Sequence, residues 1–152
     1  MSEIARIRDQ LQRAYDGDAW HGPSLCAILS GVTAQKAAAK PIPASHSIWE
    51  LVLHVATWQR IVVRRLAGET IVDIPEEENF PTVKDASEQA WRKTLEELKL
   101  AHCQLYEAIG GLTDERLSDI ISGKGYTAYF MLHGVVQHNL YHAGQIALLK
   151  KA

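Results

Sequence analysis

Cysteine is nearly absent from this chain of 152 residues, with Cys26 and Cys103 the only two. Two thiols so far apart exclude a disulfide framework, and both read as small buried hydrophobes. Charge of one sign is lacking as well. Sixteen basic residues against eighteen acidic leave a formal charge of -2, which argues against the electropositive footprint of a nucleic-acid binder. No apolar run approaches the roughly 18 residues needed to span a bilayer. The first residues, Met1-Ser2-Glu3-Ile4-Ala5-Arg6, lack the apolar core of a signal peptide. The expectation is a cytoplasmic protein that engages neither nucleic acid nor membrane. There is no internal repeat, no low-complexity tract and no alternating strand pattern.

What is present is helical periodicity in a chain of ordinary globular composition, 47% hydrophobic and 22% charged. The length suits one domain over residues 1–152. Ile4, Ile7, Leu11 and Ala14 form the apolar stripe of a first helix from about Glu3 to Tyr15. The turn Trp20-His21-Gly22-Pro23-Ser24 follows. Pro23 suits the first turn of a short helix through Ser30, and a second short helix covers Ala34 to Ala39, ended by Pro41 and Pro43. The second long helix runs from Ser47 to Ala67. Ser47 and Glu50 make a capping-box pattern at its start and Gly68 closes it. It is apolar almost all round, which suits a central position or a subunit contact. Glu69 to Thr82, with Glu76-Glu77-Glu78, reads as a solvated acidic loop. The third long helix spans Asp85 to Ile109, on the stripe Trp91, Leu95, Leu98, Ala101, Leu105 and Ala108. The fourth spans Thr127 to Lys150. Four long amphipathic helices predict an all-α four-helix bundle with long connections after the first and second helices.

Three histidines carry the chemistry. His138 and His142 stand one helical turn apart in His-Asn-Leu-Tyr-His, so they share a face. His54 sits in the apolar run of the second long helix, on a face with Leu51, Trp58 and Ile61. If the two faces meet, three imidazoles converge in the bundle interior, where such folds build metal sites. Three nitrogen ligands with one open position is the arrangement of a catalytic zinc-type centre. Without a metal, these would be core histidines that need hydrogen-bond partners. His133 lies about 140° round the helix from His138 and should point elsewhere. His102 reads as packing or surface, and His46 as local structure beside Ser47. His21 either packs its own turn or leans over the bundle mouth as a ligand or proton carrier.

These segments resemble the DinB/YfiT-like superfamily of metalloenzymes. The resemblance rests on Trp20-His21-Gly22-Pro23-Ser24, on His46-Ser47-Ile48-Trp49-Glu50-Leu51 leading to His54 and Trp58, and on Gly134 to Ile146, which holds His138 and His142. They fall in family order over nearly the whole chain. The resemblance implies a DinB-like four-helix bundle of up-down-down-up type, often a homodimer. It implies a divalent metal on His54, His138 and His142. It also implies a small-molecule reaction, either S-transfer with a low-molecular-weight thiol or metal-dependent hydrolysis, or else a non-catalytic metal- or ligand-binding stress-response role. Imidazole suits Zn²⁺ or Ni²⁺. Trp20, His21, Trp58 and Gln145 are candidates for the pocket wall, and His21 is also the candidate proton carrier. Leu53, Val63, Phe130 and Val136 are the apolar excess expected at a dimer contact.

Overall fold

The four long helices close around a core as two pairs, the members of each running the same way and the pairs opposed. The computed structural model describes residues 1–152. Its helices are α1 (Glu3–Tyr15), α2 (Leu25–Leu29), α3 (Ala34–Ala38), α4 (Ile48–Leu66), α5 (Glu76–Asn79), α6 (Glu88–Gly110) and α7 (Ala128–Lys151), with a 3-10 turn at Asp114–Ser118. There are no strands, only two isolated bridges. No helix is long and apolar enough to cross a membrane.

Each long helix begins where a hydroxyl can satisfy a free backbone N–H. Ser2, Ser47, Ser87 and Thr127 cap α1, α4, α6 and α7. Ser47 forms the complete capping box: its Oγ accepts from Glu50 N, and Glu50 Oε2 accepts from Ser47 N. Such a cap is worth about 1 kcal/mol. Gly68, at φ +96°, terminates α4 in a conformation that side chains avoid. Pro23 stands just before the cap rather than inside the first turn, because it is Ser24 whose hydroxyl accepts from Ala27 N.

Contacts along the helices give the direction of each. Trp49 meets Trp91 and Thr94, and further along Arg60 reaches Glu97, so α4 and α6 run parallel. Tyr15 stacks on His102 while Arg8 covers Tyr106, so α1 opposes α6. Arg65 reaches Tyr126 while His54 meets His138, so α4 opposes α7. The order is up-down-down-up. Parallel neighbours need a connection as long as the helix itself. Residues 67–87 supply it, returning over the roughly 28 Å that nineteen helical residues span.

The core divides in two. One cluster gathers α2, α3 and the first halves of α4 and α6 around Trp49, Trp91 and Leu98. The other gathers α1 with the far halves of α4 and α6, around Ile7, Leu105 and Leu132. A belt of buried polar side chains lies between them along the sequence of each helix: Gln59, His102, Asn139 and His142. The fully buried Gln59 and Asn139 amides have no hydrogen-bond partner. Of the two cysteines, Cys26 is half-buried and Cys103 exposed. Cys103 falls between Leu98 and Leu105 on the wet side of α6, so it is not the buried hydrophobe its residue type suggests.

Candidate metal centre

His54 on α4 and His138 and His142 on α7 come together at the level of the polar belt. One nitrogen from each lies within 4.8 Å of the other two. The Nε2 atoms of His54 and His138 are 3.0 Å apart, and those of His138 and His142 are 3.1 Å apart.

The outer nitrogens determine what the inner ones can do. His54 Nδ1 lies 2.7 Å from the backbone carbonyl of Asn79. A carbonyl only accepts, so His54 carries its proton on Nδ1 and turns a lone pair inward at Nε2. His142 Nδ1 lies 2.6 Å from Gln145 Oε1, with the same consequence. Two lone pairs therefore face His138 Nε2. A neutral His138 could donate to only one of them, and its Nδ1 is buried without a partner. Protons alone leave this triangle unsatisfied. A cation bound by three imidazoles satisfies it. Tetrahedral coordination at about 2.05 Å spaces ligand nitrogens about 3.3 Å apart, within a few tenths of an ångström of the two spacings that His138 makes. Imidazoles oriented by outer hydrogen bonds are the usual surroundings of such a centre.

Burial keeps these rings neutral. It pushes His54 below the ordinary histidine range, against the Asn79 carbonyl that favours the charged form. It pushes His142 down as well. His138 is held at about 3 by burial and then by the neighbouring His142 and His54. All three are ready to bind a cation at neutral pH without first losing a proton.

The acidic segment from Glu69 to Thr82 is solvated only in part. Glu76, Glu77 and Glu78 are exposed, but Asn79 and Phe80 turn inward. Asn79 Oδ1 accepts from Trp58 Nε1 at 2.9 Å while its carbonyl holds His54. Phe80 stacks on His54 at 4.0 Å between ring centres and on His46 at 3.7 Å. His46 is thus part of a column over the centre rather than local structure alone. The sequence signal was slight: Phe80 is the single aromatic in an acidic stretch.

A cavity of about 180 Å³ opens beside His138. Trp58, Val62, Tyr126, Phe130 and Arg65 line it. Trp58 thus borders the space beside His138. Gln145 is engaged with His142 and does not line the cavity beside His138. Trp20 and His21 lie elsewhere. Both are exposed, and they line a groove with Asp9, Arg13 and Leu140. Leu140 stands two positions from each α7 histidine and so faces away from them. Nothing brings His21 to the cluster. His133 turns toward α1, 3.6 Å from Glu3. His102 is buried and stacked on Tyr15.

The family model of the DinB superfamily matches residues 19–146. Among solved structures, a conserved protein from Enterococcus faecalis superposes with a TM-score of 0.72 at 16% identity, covering 99% of this chain and 96% of that one. At that identity the likeness speaks for the fold. A search of curated proteins gives no match.

Proposed function

The chain belongs to the DinB superfamily, and on that premise we propose that it is a divalent-metal-dependent enzyme acting on a small molecule. The observation that carries the reading is the convergence of inward lone pairs from His54 and His142 on His138. His54, His138 and His142 would hold Zn²⁺ or Ni²⁺, both of which suit imidazole. The cation would supply Lewis acidity, favouring the deprotonated form of a thiol or water at the remaining position. The chain's own residues do the rest. Asn79 and Gln145 aim the imidazoles, Trp58 walls the approach, and Phe80 covers His54 against water.

The reaction class we propose is S-transfer from a low-molecular-weight thiol to an electrophile, or hydrolysis. The centre has three protein ligands, which favours catalysis over a closed structural site. A non-catalytic metal-binding stress protein is the second reading. Metal content after supplementation with Zn²⁺, Ni²⁺, Fe²⁺ and Mn²⁺ tests the centre, and protein that stays metal-free overturns both readings. A panel of thiols with electrophiles, set against esters and amides, separates enzyme from storage protein. Turnover with neither panel favours the second.

We further propose a homodimer. The apolar excess lies on the outer face of α7, where Phe130, Tyr141 and Leu148 are 64%, 65% and 68% exposed. Leu53, Val63 and Val136 are half-buried within the bundle.

A further inference from the structure

The cavity beside His138 carries a cation without an anion. Arg65 is 5% exposed, yet no carboxylate pairs with it. Its Nε and Nη2 donate to the carbonyl of Ile71 at 3.1 and 2.7 Å, and its Nη1 donates to the hydroxyl of Tyr126 at 3.0 Å. All its partners are neutral. Asp119, which borders the neighbouring hollow, is engaged by Arg116. A buried charge with only neutral partners is costly. A guanidinium has five N–H groups, and three bonds leave two of them free. Tyr126 accepts from Arg65 and keeps its own proton to donate. Both residues line the same cavity as His138.

Trp58 joins the two ends. Its ring lies 5.6 Å from Arg65 Cζ and 6.1 Å from the His138 ring. The space therefore has a cationic end, an apolar middle formed by Trp58, Val62 and Phe130, and the histidine cluster at its other end. Pockets of this kind bind by apolar burial and orient by a few polar groups. An arginine with a hydroxyl beside it presents the donors that suit a carboxylate.

We propose that this cavity selects a small carboxylate-bearing substrate. Its apolar body lies on Trp58, its carboxylate is read by Arg65 and Tyr126, and its reacting end is held at the histidine cluster. The last of these rests on the metal-centre reading. The carboxylate site does not.

Calorimetric titration of metal-free protein with 3-phenylpropanoate and with 3-phenylpropanol tests the pocket alone. The acid is expected to bind about tenfold tighter, as a charge-assisted contact implies. Arg65→Gln is expected to abolish the preference, and Arg65→Lys to keep part of it. Equal affinities in the unmodified protein overturn the proposal, and so does failure of the acid to bind at millimolar concentration. That comparison needs no variant, so a fold defect in Arg65→Gln leaves it decisive. A preference that survives in Arg65→Gln also overturns it. Cobalt-loaded protein titrated with 3-mercaptopropionate reads the other end through the thiolate absorption band. Acid preference without that band would keep the carboxylate site and overturn the metal reading.

Discussion

His54 and His138 stand 84 positions apart in the chain and 3.0 Å apart at their Nε2 atoms. Antiparallel packing of α4 on α7 creates that pairing, and the spacing of one helical turn then brings His142 to the same point. On α7, His142 therefore shares the cluster with His138, and His133 lies outside it beside Glu3. His142→Ala is expected to cost more metal affinity than the ~10–100-fold typical of losing an outer-shell partner. His133→Ala, which removes a ring facing Glu3, should leave affinity unchanged, as should His21→Ala. Equal losses for His142→Ala and His133→Ala in a competitive chelator titration would falsify the assigned ligand set. Loss of metal in His21→Ala would make that residue a fourth ligand and favour storage over catalysis.

Gln145 serves as the orienting partner of His142. Its Oε1 receives the Nδ1 proton and leaves Nε2 free to face inward. Gln145→Leu keeps the volume and removes the acceptor. Metal affinity is expected to fall about 10–100-fold, with the melting temperature of the metal-free protein little altered. If affinity held while turnover fell, Gln145 would instead be a substrate contact.

Much of this arrangement is legible in the sequence. Apolar spacing located the long helices, and Ser47 with Glu50 marked the start of α4. The i, i+4 pair and the lone histidine of an apolar helix point to the three side chains that converge. Arg65 went unnoticed, although it continues the face of Leu51, His54, Trp58 and Ile61 by one more turn. A charge near a helix end ordinarily reads as solvated, and only the fold shows that Ile71 and Tyr126 bury it. Asn79 was hidden for another reason. It acts on His54 through a backbone carbonyl, which no side-chain pattern reveals. His21 misled because a turn's direction is set by the helices on either side of it, and these carry it to the α1 face of α7.

The outer face of α7 should bury itself against a second copy. Phe130, Tyr141 and Leu148 recur at helical spacing on one exposed side, and two-fold dimers are the commonest closed assemblies. Light scattering at micromolar concentration should give twice the chain mass of 16.9 kDa. Tyr141→Glu with Leu148→Glu should give a folded monomer. A monomer mass for the unmodified protein refutes the dimer.

Stability should fall with acidity through His102. Its ring is buried, stacked 3.8 Å from Tyr15, and bonded only to Gln12 through Nε2. Burial holds it at about 4, against an opposing pull from Asp16. The unfolded chain, with a histidine near 6.5, therefore takes up a proton before the folded one does. The group costs no stability above about pH 6.5, costs progressively more as pH falls from there to about 4, and adds nothing further below. The full effect is on the order of 3 kcal/mol. His54, His138 and His142, also held low by burial, contribute a slope of the same sign, so the measurement is a difference. His102→Phe retains the stack on Tyr15 and removes the titration. Urea midpoints of the two proteins, followed from pH 7.5 to 4, should shift relative to each other in favour of the variant, because the unmodified protein loses stability faster. Parallel curves would mean that His102 takes its proton as readily folded as unfolded, through solvent or a partner reaching its Nδ1.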